Sequence, residues 1–193
     1  MDVSTTFDRQ RTALLVMDLQ ADIIGMLGDE ASALLERTAP VIAAARAAGV
    51  PVIYVVLGFK PGYPEVSPNN VVFSTIRGSG RFLGTPGADI PSTIAPKDGD
   101  VVVVKHRVSA FHGTDLEMIL RAKGIDTLLL TGIATSGIVL STVCHAADAD
   151  YRLAIVRDCV ADRDAEVHRV LLDKVFARRA AIITAAEATA ALS

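Results

Sequence analysis

Residues 100–131 read DVVVVKHRVSAFHGTDLEMILRAKGIDTLLLT. The opening run 100–105 is continuous Val closed by Lys105, and the closing run 127–131 is continuous Leu between threonines. Apolar runs of that length without alternation suit strands covered on both faces. Between them, 113–123 (GTDLEMILRAK) reads as a helix stopped by Gly124. Thr114 is its expected N-cap, and Glu117 three residues on completes a capping-box pattern.

The same grammar extends in both directions. Strands are expected at 12–17 (TALLVM), 50–57 (VPVIYVVL), 153–156 (LAIV) and 180–184 (AAIIT), in addition to 100–105 and 127–131. Helices are expected at 30–48, 113–123, 136–150 and 164–178, with Asp164 capping the last, and the Ala-rich C-terminus reads as a final helix. Strand and helix alternate, which predicts an α/β fold: a mostly parallel sheet of about six strands with helices on both faces, in one domain over 1–193. The segment 58–96 breaks the alternation and holds most of the prolines. A connection of that length is expected to form a pocket wall or lid, or to pack on a partner subunit.

Composition narrows the classes. The chain has 193 residues, of which 51% are hydrophobic and 21% charged, so a sizeable core forms and global disorder is excluded. Aromatics are 5% and Trp is absent, so the core is built from aliphatic side chains. A formal net charge of −3 gives no general attraction for nucleic acid or anionic membrane. No apolar stretch reaches the roughly 18–20 residues of a membrane span, and the start MDVSTTFDRQR lacks the apolar run of a secretory signal. A cytoplasmic location is expected. The two cysteines, Cys144 and Cys159, are too few for a disulfide framework or a Cys-rich zinc site.

In an open parallel sheet, ligands bind beyond the carboxyl ends of the strands. Asp18 and then Gln20 follow the first run, Lys105 closes the third, Gly132 opens the turn after the fourth, and Asp158 follows the fifth. An Asp at a strand end is often a turn former, and a Lys there is often only solvated. Together they place a carboxylate, an ammonium and a helix N-terminus at one edge, where the two charges tune each other and the helix end stabilises developing negative charge. The turn 132–136 (GIATS) leads from strand into helix, an elbow with backbone N–H groups beside it. A G-x-G-x-x-G after the first strand is absent, which speaks against a nicotinamide or flavin enzyme.

Three pieces carry a resemblance: TALLVMDLQ (12–20), VVVVKHRVSAFHGTDLEMILRAKGIDTLLLTGIATSG (101–137) and STVCHAADADYRLAIVRDCVADRD (141–164). In order and spacing the chain resembles the isochorismatase-like, or cysteine hydrolase, superfamily over nearly its whole length. The resemblance implies a three-layer α/β fold, no cofactor, a small-molecule substrate and self-association as a homodimer or larger. In the family's amidohydrolases it implies an Asp, Lys and Cys machinery, with Asp18 and Lys105 as the first two. Their motif G-[IV]-A-T-x-x-C-V-x-x-T falls on Gly132, Ile133, Ala134, Thr135, Val139 and Thr142, and its Cys position falls on Ile138. The implied oxyanion donors are the N–H groups of Ala134 and Ile138, beside a cis Ile133–Ala134 bond. Gln20 and Phe111 complete the set as expected substrate-binding residues.

Cys144 lies six positions beyond Ile138, about 9 Å along a helix and on another face, so it does not replace the missing thiol. Cys159 and Cys144 are both expected to be inert, partly buried thiols. Ser136 and Ser141 lack an evident base. Family members that cleave vinyl ethers work by Asp acid chemistry without a thiol, but their turn resembles GVYAHIG rather than GIATSGI. The histidines His106, His112, His145 and His168 show no metal-ligand spacing, so no metal is expected. Arg77 and Arg81 are expected to hold an anionic group or cover a partner. Two functions fit: a hydrolase of a small molecule's C–N or C–O bond, with Asp18 as acid/base and Lys105 as its partner, or a non-catalytic relative that binds a small molecule or serves as a scaffold.

Overall fold

The computed structural model describes residues 7–193. Residues 1–6, part of the stretch read above as lacking a signal, lie outside the described residues. Six strands form one sheet: β1 (Thr12–Met17), β2 (Val52–Leu57), β3 (Val101–Lys105), β4 (Thr127–Ile133), β5 (Arg152–Ala161) and β6 (Ala181–Ile183). Their order is β3-β2-β1-β4-β5-β6, and every pairing is parallel. The order reverses between β1 and β4, the switch point at which such sheets open a crevice.

The two faces of the sheet are separately filled, because side chains alternate along a strand. Leu15, Met17, Ile53, Val55, Leu128 and Leu130 face one core with α4 (Leu116–Ala122) and α5 (Leu140–Asp148). Leu14, Val16, Val52, Tyr54, Val56 and Leu129 face the other with α2 (Glu30–Ala47) and α7 (Ala185–Leu192). In α2 the buried stripe Leu34, Thr38, Val41, Ile42 and Ala45 has helical spacing. Arg46 near its end donates to Tyr54 Oη at 2.9 Å and to the Ala95 carbonyl at 3.1 Å, and pairs with Asp100.

Several expectations are corrected. β5 runs ten residues and does not stop at Val156, because the ladder with β4 shifts register between Leu130 and Gly132 and resumes at Val160. The 58–96 segment holds an unexpected helix, α3 (Val71–Ser79), capped by the Asn70 side chain. Its core is a third cluster of Leu57, Phe59, Tyr63, Val66 and Phe73. The N-cap of α4 is Asp115, and Glu117 pairs with Arg121 instead of closing a box on Thr114. A capping box forms at Thr184 and Glu187, at the start of α7. Asp164 caps α6 (Ala165–Val170) as expected, accepting from Glu166 and Val167, but the helix then loosens into a wide turn and a 3-10 turn before Arg178. A short α1 (Ala21–Ile24) follows β1. Among the described residues, no helix is long and apolar enough to cross a membrane.

Candidate active site

Asp18 is the first residue beyond β1. Its φ is +55°, and its N–H donates to the Val55 carbonyl at 2.8 Å, so the backbone turns while still fastened to β2. Lys105 ends β3, on the far side of β2, in register with Leu57. Its side chain crosses the end of β2 and places Nζ 2.9 Å from Asp18 Oδ2. The same ammonium donates to the Arg107 carbonyl at 3.1 Å. Asp18 is 5% exposed and Lys105 3%.

The other carboxylate oxygen, Asp18 Oδ1, is buried and has no hydrogen-bond partner among the described residues. An unpaired buried oxygen costs about 1–3 kcal/mol and marks a place where a substrate or water completes the set. Burial raises the Asp18 pKa above the ordinary carboxylate value, and the attraction and hydrogen bond of Lys105 oppose that rise without cancelling it. The pair therefore joins a carboxylate of enhanced proton affinity to a fixed positive charge.

Gln20, expected to bind substrate, is engaged by the backbone of β2 and by Asp89. Leu57 N–H donates to its Oε1 at 2.7 Å, and its Nε2 donates to the Leu57 carbonyl at 3.0 Å and to Asp89 at 3.2 Å. The amide thus splices the chain after β1 to the end of β2 and to the 58–96 segment. It also lines a cavity of about 330 Å³ with Asp22, Phe82, Pro86 and Asp89. Arg81 caps this region from the same segment, 4.0 Å from Asp22 and over the Phe82 ring.

On the other side of the switch point, Gly132 pairs with Met17. Its φ is +132°, and an added Cβ would lie 2.0 Å from the Met17 carbonyl oxygen. Only glycine fits where β4 passes this close to β1. The Ile133–Ala134 bond is cis. A wide turn, Thr135–Val139, then leads into α5, with Gly137 at non-helical φ and ψ. Gly137 and Val139 N–H groups both turn back to the Ala134 carbonyl, at 3.0 and 3.3 Å. Ile138 sits in this elbow, 2% exposed, and belongs to the core under α5.

This arrangement can be set beside known proteins. The sequence profile of the isochorismatase domain matches residues 12–187. The chain belongs to the isochorismatase family. It is 32% identical over 183 residues to the uncharacterized isochorismatase family protein YecD of Escherichia coli O157:H7, covering 94% of this chain and 96% of that one. It is 34% identical over 174 residues to the ureidoacrylate amidohydrolase RutB of Methylorubrum extorquens, covering 79% and 70%. The solved structure of N-carbamoylsarcosine amidase from Thermoplasma acidophilum superposes with a TM-score of 0.75 at 33% identity, covering 91% and 96%.

The remaining expected residues of this isochorismatase-family chain have partners of their own. Phe111 lies in the core, its ring stacked on His145 at 4.4 Å and tilted against Tyr151. That packing accounts for its burial. Asp158 is inside β5, and its Oδ1 accepts the Ala185 N–H at 2.7 Å, at the start of α7 rather than beside Asp18. Cys159 is fully buried in β5, where burial pushes its thiol up to about 12. Cys144 is exposed on α5, a correction to the partly buried place expected for it. His106 is 2.6 Å from the Gly58 carbonyl through Nδ1, and His168 bonds Thr135. Among the described residues, no three His, Cys, Asp or Glu side chains gather as a metal site.

The sequence reading missed Asp89, Asp162 and His168. Asp89 holds Gln20 from the far end of an irregular segment, and Asp162 and His168 hold the elbow from the chain after β5. The available signal for Asp162 was a second acidic residue two positions before the Asp164 cap.

Proposed function

We propose that the protein hydrolyses a C–N bond of a small amide, with Asp18 as acid and base and Lys105 as its electrostatic partner. The observation that carries this reading is the bare, buried Oδ1 of Asp18 beside an ammonium-bound Oδ2. Ile138 takes the place of the amidohydrolases' nucleophilic Cys, so water attacks the carbonyl carbon directly. Oδ1 accepts one proton of that water as the C–O bond forms. The carbonyl oxygen becomes negative and is met by the Ala134 and Ile138 N–H groups. Asp18 then returns the proton to the leaving nitrogen, the C–N bond breaks, and the products are an acid and an amine. Lys105 keeps Asp18 ionised against its burial during the first half of this cycle. No covalent intermediate, metal or cofactor enters.

Support comes from the amide-cleaving relatives, ureidoacrylate amidohydrolase and N-carbamoylsarcosine amidase. The test is turnover of ureidoacrylate, N-carbamoylsarcosine and simple primary amides by the purified protein. Activity lost in Asp18→Asn, together with no acyl transfer to hydroxylamine, fits the reading. Unchanged turnover in Asp18→Asn sinks it. Ile138→Cys should add acyl-transfer activity, and a folded variant whose thiol resists iodoacetamide would show that the elbow is not built for a nucleophile.

A second reading, a binding or scaffold protein without turnover, draws on the aliphatic Ile138 at the elbow. No turnover across the amide panel, with a ligand retained in the pocket, would favour it. Self-association belongs to both readings. Val71 and Val72 of α3 are 83% and 57% exposed, apolar surface suited to a second copy of the chain. A monomer mass in sedimentation would remove that part.

A further inference from the structure

The elbow is held by side chains that do not touch Asp18. Its own backbone bonds are local, since Gly137 and Val139 both return to the Ala134 carbonyl. Ile138 and Val139 seat one side of the turn in the core, which leaves its polar groups to be fixed by other partners. Two long-range contacts supply them. The Ser136 N–H donates to Asp162 Oδ2 at 2.7 Å, from 26 residues away in sequence. The Thr135 hydroxyl lies 2.8 Å from Nδ1 of His168, 33 residues away. Thr135 is fully buried, so its hydroxyl has no water to turn to.

Both anchors are themselves fixed. Asp162 Oδ1 accepts the Asp164 N–H at 3.2 Å, directly before α6. Burial pushes the Asp162 carboxyl up, and hydrogen bonds from Ser136, Asp164 and Arg163 outweigh that and hold it below the usual range. Burial likewise lowers the His168 pKa, against the pull of Asp162, Glu30 and Asp173 and with the help of Arg157. A neutral ring with its proton on Nε2 presents Nδ1 as an acceptor for the Thr135 hydroxyl. Asp162 and His168 line a cavity of about 260 Å³ between α2, β5 and α6, with Glu30, Arg37, Arg157 and Asp158.

We infer that Asp162 and His168 are positioning residues of the hydrolytic site: they clamp the elbow from the end of β5 and from α6, and so set where the Ala134 and Ile138 N–H groups stand. The inference rests on the amide-hydrolase reading for what the elbow does, and on the contacts alone for what holds it.

The test uses two readouts on the full chain. Hydrogen–deuterium exchange of peptides covering 132–139 reports the clamp without any substrate. Steady-state kinetics with ureidoacrylate reports its effect on chemistry. His168→Ala and Asp162→Ala should speed exchange in the elbow at least tenfold. They should lower kcat tenfold or more with KM within about twofold. His168→Asn, which keeps a hydrogen-bonding atom near the Nδ1 position, should recover most of both. Thr135→Val, nearly the same shape without the hydroxyl, should match His168→Ala, and the double variant should be no worse than either single one. A lower melting temperature with unchanged elbow exchange and unchanged kcat would overturn the inference, because it describes a merely structural role. Faster elbow exchange in a protein whose wild type turns over no amide would overturn the hydrolase reading and leave the clamp standing.

Discussion

Asp18 and Lys105 meet at 2.9 Å across the end of β2, and the bond uses one carboxylate oxygen and leaves the other bare. The pair is buried on both sides, so each charge depends on its partner for what water would otherwise supply. Lys105→Met removes that support. Asp18 then takes up a proton in the folded state, at a pKa raised further above its unfolded value. Stability is therefore retained at low pH and falls as pH rises from the unfolded pKa through the folded one, by about 1.4 kcal/mol per unit. Urea denaturation of Lys105→Met should show a loss of about 3–5 kcal/mol at pH 8 and a smaller one at pH 5. Asp18→Asn combined with Lys105→Met should be more stable at pH 8 than Lys105→Met alone.

Turnover carries the same signature in reverse. The raised proton affinity of Asp18 places the acid limb of kcat/KM above the ordinary carboxylate value of about 3.9. Activity should fall on acidification through that limb, because the base is lost as it is protonated. Asp18→Asn should cost about 10²–10⁴-fold in kcat, the usual contribution of a positioned acid or base. A pH–rate profile of the wild type checks the limb, and a limb at or below the ordinary carboxylate value would contradict it.

Gly132→Ala is expected to prevent folding of the native sheet. The new Cβ would meet backbone, the Met17 carbonyl oxygen at 2.0 Å, in a φ region that side chains rarely adopt. A cost above about 4 kcal/mol follows from displaced strand backbone. Soluble yield and circular dichroism of the variant measure it, with Gly78→Ala as the control, since an added Cβ there meets nothing within 4 Å.

The two cysteines should separate cleanly in a thiol titration at pH 8. Cys144 is exposed and Cys159 is fully buried, with its thiol pushed up to about 12. Ellman's reagent should label one thiol per native chain and two in denaturant. Cys144→Ser should abolish the native signal and leave the native circular dichroism spectrum as it was.

Much of this is legible in the sequence, for a definable reason. β1 is TALLVM and ends where Asp18 appears, and β3 ends on the Lys that pairs with it. In a parallel sheet the end of an apolar run is also the ligand-facing edge, so a composition change marks a site. β5 broke this rule because Arg157 and Asp158 look like an ending, whereas the strand continues past them through a register shift. α3 was hidden among prolines and glycines, where local signals point to turns. Gln20 was legible as a polar residue near the site, but its partners, Leu57 and Asp89, lie 37 and 69 residues away. Of the elbow's anchors, Asp162 shows in the sequence only as a second acidic residue near the Asp164 cap and His168 not at all, since hydrogen bonds over 26 and 33 residues leave no period in the chain.

The clearance at Gly132 has a mechanical consequence. β1 and β4 are joined there by a seam without slack, because one carbonyl already fills the space a methyl group would need. Asp18 follows Met17 on one strand of that seam and the elbow follows Gly132 on the other, so the seam fixes the two strand ends against each other while the turn beyond Gly132 is held by its own contacts. Redesign of the pocket should therefore leave the seam alone and edit the 58–96 segment, whose residues 82–89 wall the neighbouring cavity from outside the sheet.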